Sequence, residues 1–276
     1  MPKLGLIAGS GRFPVLLAEA AMSRGWEVVL FAVKDETDMT DYNGWIEKTY
    51  NIRMEQVGKF IESLLAENIT DVVMAGKVHK RRLYGDLQPD ERTIKMFMRL
   101  KDRADDTLLG ELARELESEG ITLHPTTFCA ESLLAEEGTL TKNGPSSEQW
   151  KDIEFGWRIA KEIGGLDIGQ AVVVKAGAVM AVEAIEGTDE AILRGGKYAR
   201  KDAVVVKVAK PRQDNRLDMP AVGVNTIESM IKVNARVLAV EAGWTVVLDR
   251  EKMLEMAEDA GIIVVACVDP GKGSAS

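Results

Sequence analysis

The chain has 276 residues, of which 46% are hydrophobic and 29% charged, so its length and composition are those of a globular protein of about two domains. Its 35 basic and 44 acidic residues give a net charge of −9, which argues against general nucleic-acid binding but allows a local basic pocket. No apolar run approaches the roughly 20 residues of a membrane helix, and the first apolar run is typical of a strand rather than a signal peptide. The cysteines, Cys129 and Cys267, form neither a CxxC motif nor a disulfide framework, and we expect a cytoplasmic protein.

Strands and helices are predicted to alternate along the first half of the chain. The predicted strands are Lys3–Ala8, Glu27–Val33, Thr70–Ala75 and Ile121–His124, and the predicted helices are Pro14–Arg24, Met54–Glu67, Asp90–Leu100 and Thr107–Glu119. Such alternation predicts a mostly parallel, doubly wound sheet. The polar, glycine-containing segment Glu136–Pro145 is the predicted linker, which gives a first domain over residues 1–136.

The second half, residues 137–276, predicts a separate α/β domain. Ser146 and Gln149 have the spacing of a capping box that opens a helix, and Asn225 with Glu228 repeats that spacing. The two apolar runs flanking Lys175-Ala176-Gly177 predict a β-hairpin. Further predicted elements are the strands Ala203–Ala209, Val237–Ala242, Thr245–Leu248 and Ile262–Ala266 and the helix Arg250–Ala260.

A glycine-rich turn, Gly9-Ser10-Gly11-Arg12, follows the first predicted strand. Backbone N–H groups beside a helix N-terminus favour an anion, and the Arg12 guanidinium suits phosphate. The turn lacks the third glycine of a dinucleotide fingerprint, since position 14 is Pro14, and no GK[ST] follows. The turn therefore predicts an anion site, with a purely structural tight turn as the alternative.

The most polar stretch runs from Lys210 to Pro220 and follows an apolar strand. Its carboxylates Asp214 and Asp218 suit a hydrated divalent metal, and Lys210 and Arg216, together with Gln213, suit phosphate oxygens. A solvated turn with local salt bridges explains the same residues equally well.

Two smaller polar groups accompany these loops. Thr188 and Asp189 either offer a hydroxyl and a carboxylate to the same ligand or simply cap a helix, with Thr188 as its N-cap. A basic run from Lys77 to Arg82, which includes His79, is either a phosphate-facing loop or a solvated one. His124 is predicted to be a strand-end residue, and no serine-hydrolase or zinc motif is present in the sequence.

Four segments, in this order, resemble the LpxI family, the UDP-2,3-diacylglucosamine pyrophosphatases of lipid A synthesis. They are GLIAGSGRFPVLLAEAA (5–21), VVMAGKV (72–78), DIGQAVVVKAGAVMAVEAIEGTD (167–189) and KVAKPRQDNRLDMPAVG (207–223). The resemblance runs across both predicted domains, roughly from Lys3 to Val265.

This resemblance implies an N-terminal Rossmann-like domain, a distinct C-terminal α/β domain and a ligand cleft between them. It implies Mg2+-dependent hydrolysis of UDP-2,3-diacylglucosamine to UMP and 2,3-diacylglucosamine 1-phosphate, with water attacking the sugar-side phosphorus. Asp218 would be the key catalytic residue, and Asp214, Arg216 and Gln213 match the rest of its motif. Because the nucleotide-sugar substrate is acylated, the resemblance implies transient contact with the inner-membrane surface. From the same resemblance we expect a homodimer.

Two alternatives stay open at this point. Another nucleotide-sugar enzyme, such as a transferase, could use the same loops. A nucleotide-binding regulatory module without turnover could also do so.

Overall fold

The computed structural model describes residues 1–42, 44–78, 88–100 and 105–271, the side chains of 105–107 excepted. The chain divides into two compact units. Unit 1 comprises Met1–Glu131 together with Asp214–Asp218, and unit 2 comprises Ser132–Gln213 and Met219–Ser276. The short segment 214–218 departs from the order of the chain, because it belongs to the first unit although it lies far inside the predicted second domain.

Unit 1 is a parallel sheet with helices, as the alternation predicted. Its strands are β1 (Lys3–Ala8), β2 (Glu27–Val33), β3 (Lys48–Ile52), β4 (Asp71–Ala75) and β5 (Thr122–Leu123), and its helices are α1 (Phe13–Ser23), α2 (Val57–Ala66), α3 (Glu91–Arg99) and α4 (Asp105–Ser118). The strand order is β3-β2-β1-β4-β5, and every pairing in it is parallel.

The central strand β1 pairs with β2 on one side and β4 on the other. The chain moves outward from β1 to β2 and β3 and then crosses back to β4, so the order reverses beside β1. In open parallel sheets, ligands bind at such a switch point, beyond the carboxyl ends of the strands. The glycine turn follows β1 at this point.

Strand β3 is missing from the sequence-based prediction. It lies at the edge of the sheet, and its residues KTYNI are mostly exposed, so the alternation that marks a half-buried strand is weak. Glu67 holds side chains of this strand, because it accepts hydrogen bonds from Lys48 Nζ (2.7 Å) and Tyr50 Oη (2.5 Å). It also accepts from Lys3 Nζ of β1 at 3.2 Å.

Unit 2 contains a mixed sheet and four helices among its described residues. Its strands are β6 (Gly138–Thr139), β7 (Ala171–Lys175), β8 (Ala178–Val182), β9 (Val204–Lys207), β10 (Ala221–Val222), β11 (Val237–Glu241), β12 (Val246–Val247) and β13 (Ile263–Cys267), and its helices are α5 (Ser147–Gly165), α6 (Thr188–Ala199), α7 (Val224–Lys232) and α8 (Arg250–Asp259). The main sheet has the order β6-β13-β11-β9-β7-β8, and β10 pairs with β12 separately.

The inner strands of the main sheet of unit 2, β7, β9, β11 and β13, are buried on both faces. Val204 and Val206 pack in one cluster with Trp157 of α5, whereas Val205 packs in another cluster with Ile192 of α6 and further residues of α7 and α8. Because successive side chains of a strand point to opposite faces, a run of consecutive valines serves both layers. The predicted α/β class is confirmed for both units.

The two predicted capping boxes of unit 2 have different outcomes. At α5 both bonds are present, from Gln149 N to Ser146 Oγ and from Ser146 N to Gln149 Oε1. At α7 the prediction is wrong: the N-cap is Gly223 without a side-chain cap bond, and Asn225 lies inside the helix. Among the described residues, no helix combines the length and apolarity that crossing a membrane requires.

Candidate active site

The glycine turn is held against the loop that follows β4. Gly9 N donates to Ala75 O and Ser10 N donates to Lys77 O, both at 2.8 Å, and Lys77 N returns a bond to Ser10 O at 3.0 Å. A Cβ on Gly9 would lie only 2.5 Å from Lys77 O, so this contact requires glycine. The structure thus brings Gly9, Ser10 and Lys77 together, as the phosphate-site prediction needs.

These bonds restrict how the turn could hold an anion. The amides of Gly9 and Ser10 are already donated to carbonyls, so an anion would be received further on, from Gly11 to the start of α1. Gly11 has φ +98° and open space around its Cα, and Arg12 is exposed, with Nη2 3.8 Å from Glu19 Oε1. The exposed half of the turn is therefore the half suited to a ligand.

The polar loop begins in unit 2 with a closed turn. Lys210 N donates to Gln213 Oε1 at 2.9 Å and Gln213 N donates to Lys210 O at 3.0 Å. The Lys210 ammonium also pairs with the carboxylate of Asp167. Lys210 and Gln213 are thus brought together as predicted, and Asp167 is a partner that sequence reasoning missed.

The segment Asp214–Asp218 is anchored within unit 1 by three contacts. Thr126 N donates to Asn215 O at 2.8 Å, Arg216 Nη1 lies 3.2 Å from Glu117 Oε1, and Leu217 packs against the core of the unit. Thr126 itself is buried and its hydroxyl has no partner in the described structure. These anchors hold the three residues that immediately precede the predicted catalytic residue, Asp218.

The two carboxylates of the segment have different environments. Both Asp214 oxygens accept from the Arg216 guanidinium, with Nη2 to Oδ2 at 2.8 Å and Nε to Oδ1 at 3.1 Å. This fork of hydrogen bonds from Arg216 holds the pKa of Asp214 below its ordinary value. Asp218, in contrast, is exposed to solvent.

This difference bears on the predicted metal site. Among the residues that the structure describes, no three His, Cys, Asp or Glu side chains are grouped to hold a metal ion. The donor chemistry nevertheless fits Mg2+ in a nucleotide site, where one or two carboxylates and the substrate phosphates supply the ligands. Asp218 is exposed to solvent, and Asp214 would have to leave Arg216 in order to bind an ion.

Thr188 and Asp189 lie in the first turn of α6, but Thr188 is not its N-cap. The N-cap is Gly187, with φ +85°, and the Thr188 hydroxyl donates to the buried Glu183 at 2.8 Å. The capping interpretation was therefore wrong, because a preceding carboxylate takes the hydroxyl bond. Whether Thr188 and Asp189 contact a ligand stays a prediction.

The remaining predicted residues are partly described. His124 follows β5 as expected and bonds through Nε2 to Asp71 Oδ1 at 2.7 Å. Lys77 and Val78 of the basic run are exposed, and residues 79–82, with His79, lie outside the described part of the chain.

The turn at the switch point and the anchored polar loop define a two-unit α/β protein of the kind that handles phosphate-bearing ligands. Comparison with known proteins identifies one family for both halves of the chain. The LpxI N-terminal domain model matches residues 3–133 and the LpxI C-terminal domain model matches residues 136–265. A relative from Caulobacter vibrioides, named UDP-2,3-diacylglucosamine pyrophosphatase LpxI, is 35% identical over 283 residues, covering 98% of this chain and 99% of the relative. The chain belongs to the LpxI family.

Proposed function

We propose that this chain is a hydrolase that cleaves the pyrophosphate of UDP-2,3-diacylglucosamine into UMP and 2,3-diacylglucosamine 1-phosphate. The observation that carries the proposal is the match over nearly the whole of both chains to a relative named for this activity. The glycine turn and the polar loop, which hold most of the predicted site residues, both lie inside the two matched domains.

Asp218 is the residue to which we assign catalysis. It is an exposed carboxylate in a segment held by the anchors at Asn215, Arg216 and Leu217. A reacting group on a fixed backbone keeps the geometry that an in-line attack on phosphorus requires. In this proposal Arg216 acts mainly by orienting Asp214, since both Asp214 oxygens already accept from it.

The phosphate contacts are assigned to the two loops. Gly11 and Arg12 offer backbone N–H groups and a guanidinium, with Gly9, Ser10 and Lys77 shaping the turn behind them. Lys210 offers an ammonium and Gln213 an amide from unit 2. Thr188 and Asp189, in the first turn of α6, are also assigned to the substrate.

Mg2+ is part of the proposal as the cofactor. Asp218 would hold it, with Asp214 as a further ligand if the pair with Arg216 opens. Bound there, the ion would neutralise charge on the pyrophosphate, as hard cations generally do in phosphoryl transfer.

The partners follow from the substrate. Because it carries two acyl chains, the protein must meet the inner-membrane surface, at least transiently, to obtain it. The homodimer rests on the family alone, and light scattering coupled to size-exclusion chromatography would measure it.

The proposal is tested with purified protein and UDP-2,3-diacylglucosamine in detergent micelles, following both products by phosphorus NMR. We expect equal amounts of UMP and 2,3-diacylglucosamine 1-phosphate, no turnover after exhaustive chelation, and recovery on adding Mg2+. Full activity without metal would contradict the cofactor, and a folded protein that binds substrate but releases no product would be a binding module instead. Products joined to an added alcohol acceptor would indicate a transferase.

A further inference from the structure

The polar loop leaves the sheet of unit 2 at a point where the backbone has lost its strand partner. The pairing of β9 with β11 ends at Lys207 and Val240, yet Ala209, two residues further on, is still buried at 2% exposure. A buried amide and carbonyl must find other partners, because leaving them unpaired costs free energy.

Two side chains from separate elements supply those partners. Ala209 N donates to Glu241 Oε2 at 2.7 Å, and Lys161 Nζ donates to Ala209 O at 3.0 Å. The two side chains also pair with each other, with Lys161 Nζ 2.8 Å from Glu241 Oε1 and 2.6 Å from Oε2. One ion pair thus holds both backbone groups of a single residue.

The pair is largely shielded from solvent. The side chains of Lys161 and Glu241 are 28% and 14% exposed, and Lys161 Nζ lies 5.7 Å from the centre of the Trp157 ring. A shielded pair whose partners also bond the backbone keeps its geometry better than an exposed surface pair.

The next residue after this fixed point is Lys210, whose backbone closes the turn with Gln213. The far end of the loop is held independently, since Lys207 Nζ donates to Ala221 O and Val246 N donates to Pro220 O, both at 2.8 Å. The ion pair therefore acts on the entry side of the loop.

We propose that Lys161 and Glu241 form a positioning pair that sets where Lys210 and Gln213 present their side chains to the substrate phosphates. The inference rests on the proposed function for the role of those two residues. Neither Lys161 nor Glu241 contacts the substrate in this proposal, because both act through the backbone of Ala209.

The test compares three lysine variants in the hydrolysis assay. Lys161→Met removes the ammonium but keeps an unbranched stem beside Trp157, and Lys161→Arg keeps a charged donor. Lys151→Met is the matched control, because Lys151 lies on the same helix and its pair with Glu148 is 70% and 80% exposed. Glu241→Gln, which keeps an acceptor for Ala209 N, serves as the second variant should Lys161→Met fail to fold.

We expect Lys161→Met to lower kcat/KM by about tenfold or more, because small displacements of positioning groups carry such costs. Lys161→Arg should recover activity to within about threefold of wild type, Glu241→Gln should fall between, and Lys151→Met should match wild type. Amide exchange at Ala209 and Lys210 should also become faster in Lys161→Met.

A role in stability alone gives a different result. Lys161→Met and Glu241→Gln would then lower the urea midpoint while kcat/KM per folded molecule stayed at the wild-type value, and that outcome overturns the positioning role. An inactive wild type would instead overturn the proposed function, so the two failures are distinguishable.

Discussion

The glycine turn and the polar loop are built in opposite ways. At the glycine turn, hydrogen bonds between backbone atoms join Gly9 and Ser10 to Ala75 and Lys77. The absence of a Cβ on Gly9 makes this close approach possible. In the polar loop, charged side chains hold the chain, as the Arg216 guanidinium does for Asp214. The turn therefore depends on residue size, whereas the loop depends on charge and hydrogen-bonding groups.

The largest expected effect concerns the loop. Asp218→Asn should lower turnover at least about a thousandfold, or about 4 kcal/mol of barrier, because it removes the charge that we assign to catalysis. Stability should change little, since the side chain is exposed. Turnover is measured beside Asp259→Asn, an exposed aspartate of α8 outside both loops.

Retention of more than about a tenth of wild-type turnover, a loss below about 1.4 kcal/mol, would remove Asp218 from the catalytic role. The control should keep wild-type turnover.

The next effect concerns the glycine turn and its neighbour. A Cβ on Gly76, where φ is +90°, would meet Pro14 Cγ at 2.7 Å and Ser10 O at 2.8 Å. We expect Gly76→Ala to lower the free energy of unfolding by about 2 to 4 kcal/mol, from overpacking and strained backbone together. Gly11→Ala, with φ +98° but nothing within 4 Å, should cost only about 1 kcal/mol. Urea unfolding measures both, and equal losses would mean that close packing does not govern this turn.

A smaller effect is expected at the fork between Asp214 and Arg216. Asp214→Asn should lower the free energy of unfolding by about 1 to 2 kcal/mol, since the pair is partly buried and charge-assisted. Glu117→Gln removes only the charge from the outer contact of Arg216, at an exposed carboxylate, and should stay within about 0.5 kcal/mol of wild type. If Glu117→Gln cost more than Asp214→Asn, the outer contact rather than the fork would hold the segment.

The smallest effect is a difference in pH dependence. The fork holds the pKa of Asp214 below the value of about 3.9 for an unfolded chain, so its stabilisation is present above that pH and is lost as the pH falls through the folded pKa. The cost of Asp214→Asn should therefore shrink between pH 5 and pH 3 in urea titrations, roughly in step with protonation. The cost of Gly76→Ala involves no titrating group and should stay constant. A constant cost for both variants would contradict the charge-based account of the loop.

Most of the strands and helices could be predicted from the sequence. The consecutive valines around Val205 predicted a buried strand, and the alternation of elements predicted the parallel sheet, because both depend on local periodicity. Strand β3 was missed because its residues are polar and lie at a sheet edge. The N-cap at Gly187 was missed because the hydroxyl of Thr188 turned to Glu183 instead.

The chemistry of the polar loop was visible in the sequence, but its partners were not. Arg216 and Glu117 are 99 positions apart, and Lys161 and Ala209 are 48 apart. Neither spacing carries a local pattern, so only the folded chain brings these residues together. The structure thereby separates Asp214, bound by Arg216, from the exposed Asp218, a distinction that four-residue spacing could not make.

The most direct test of the central claim, that water cleaves the pyrophosphate, is turnover in heavy-oxygen water followed by mass spectrometry of both products. We predict the heavy oxygen in 2,3-diacylglucosamine 1-phosphate and none in UMP. Label in UMP would move the attack to the other phosphorus, while cleavage with label in neither product would contradict hydrolysis itself.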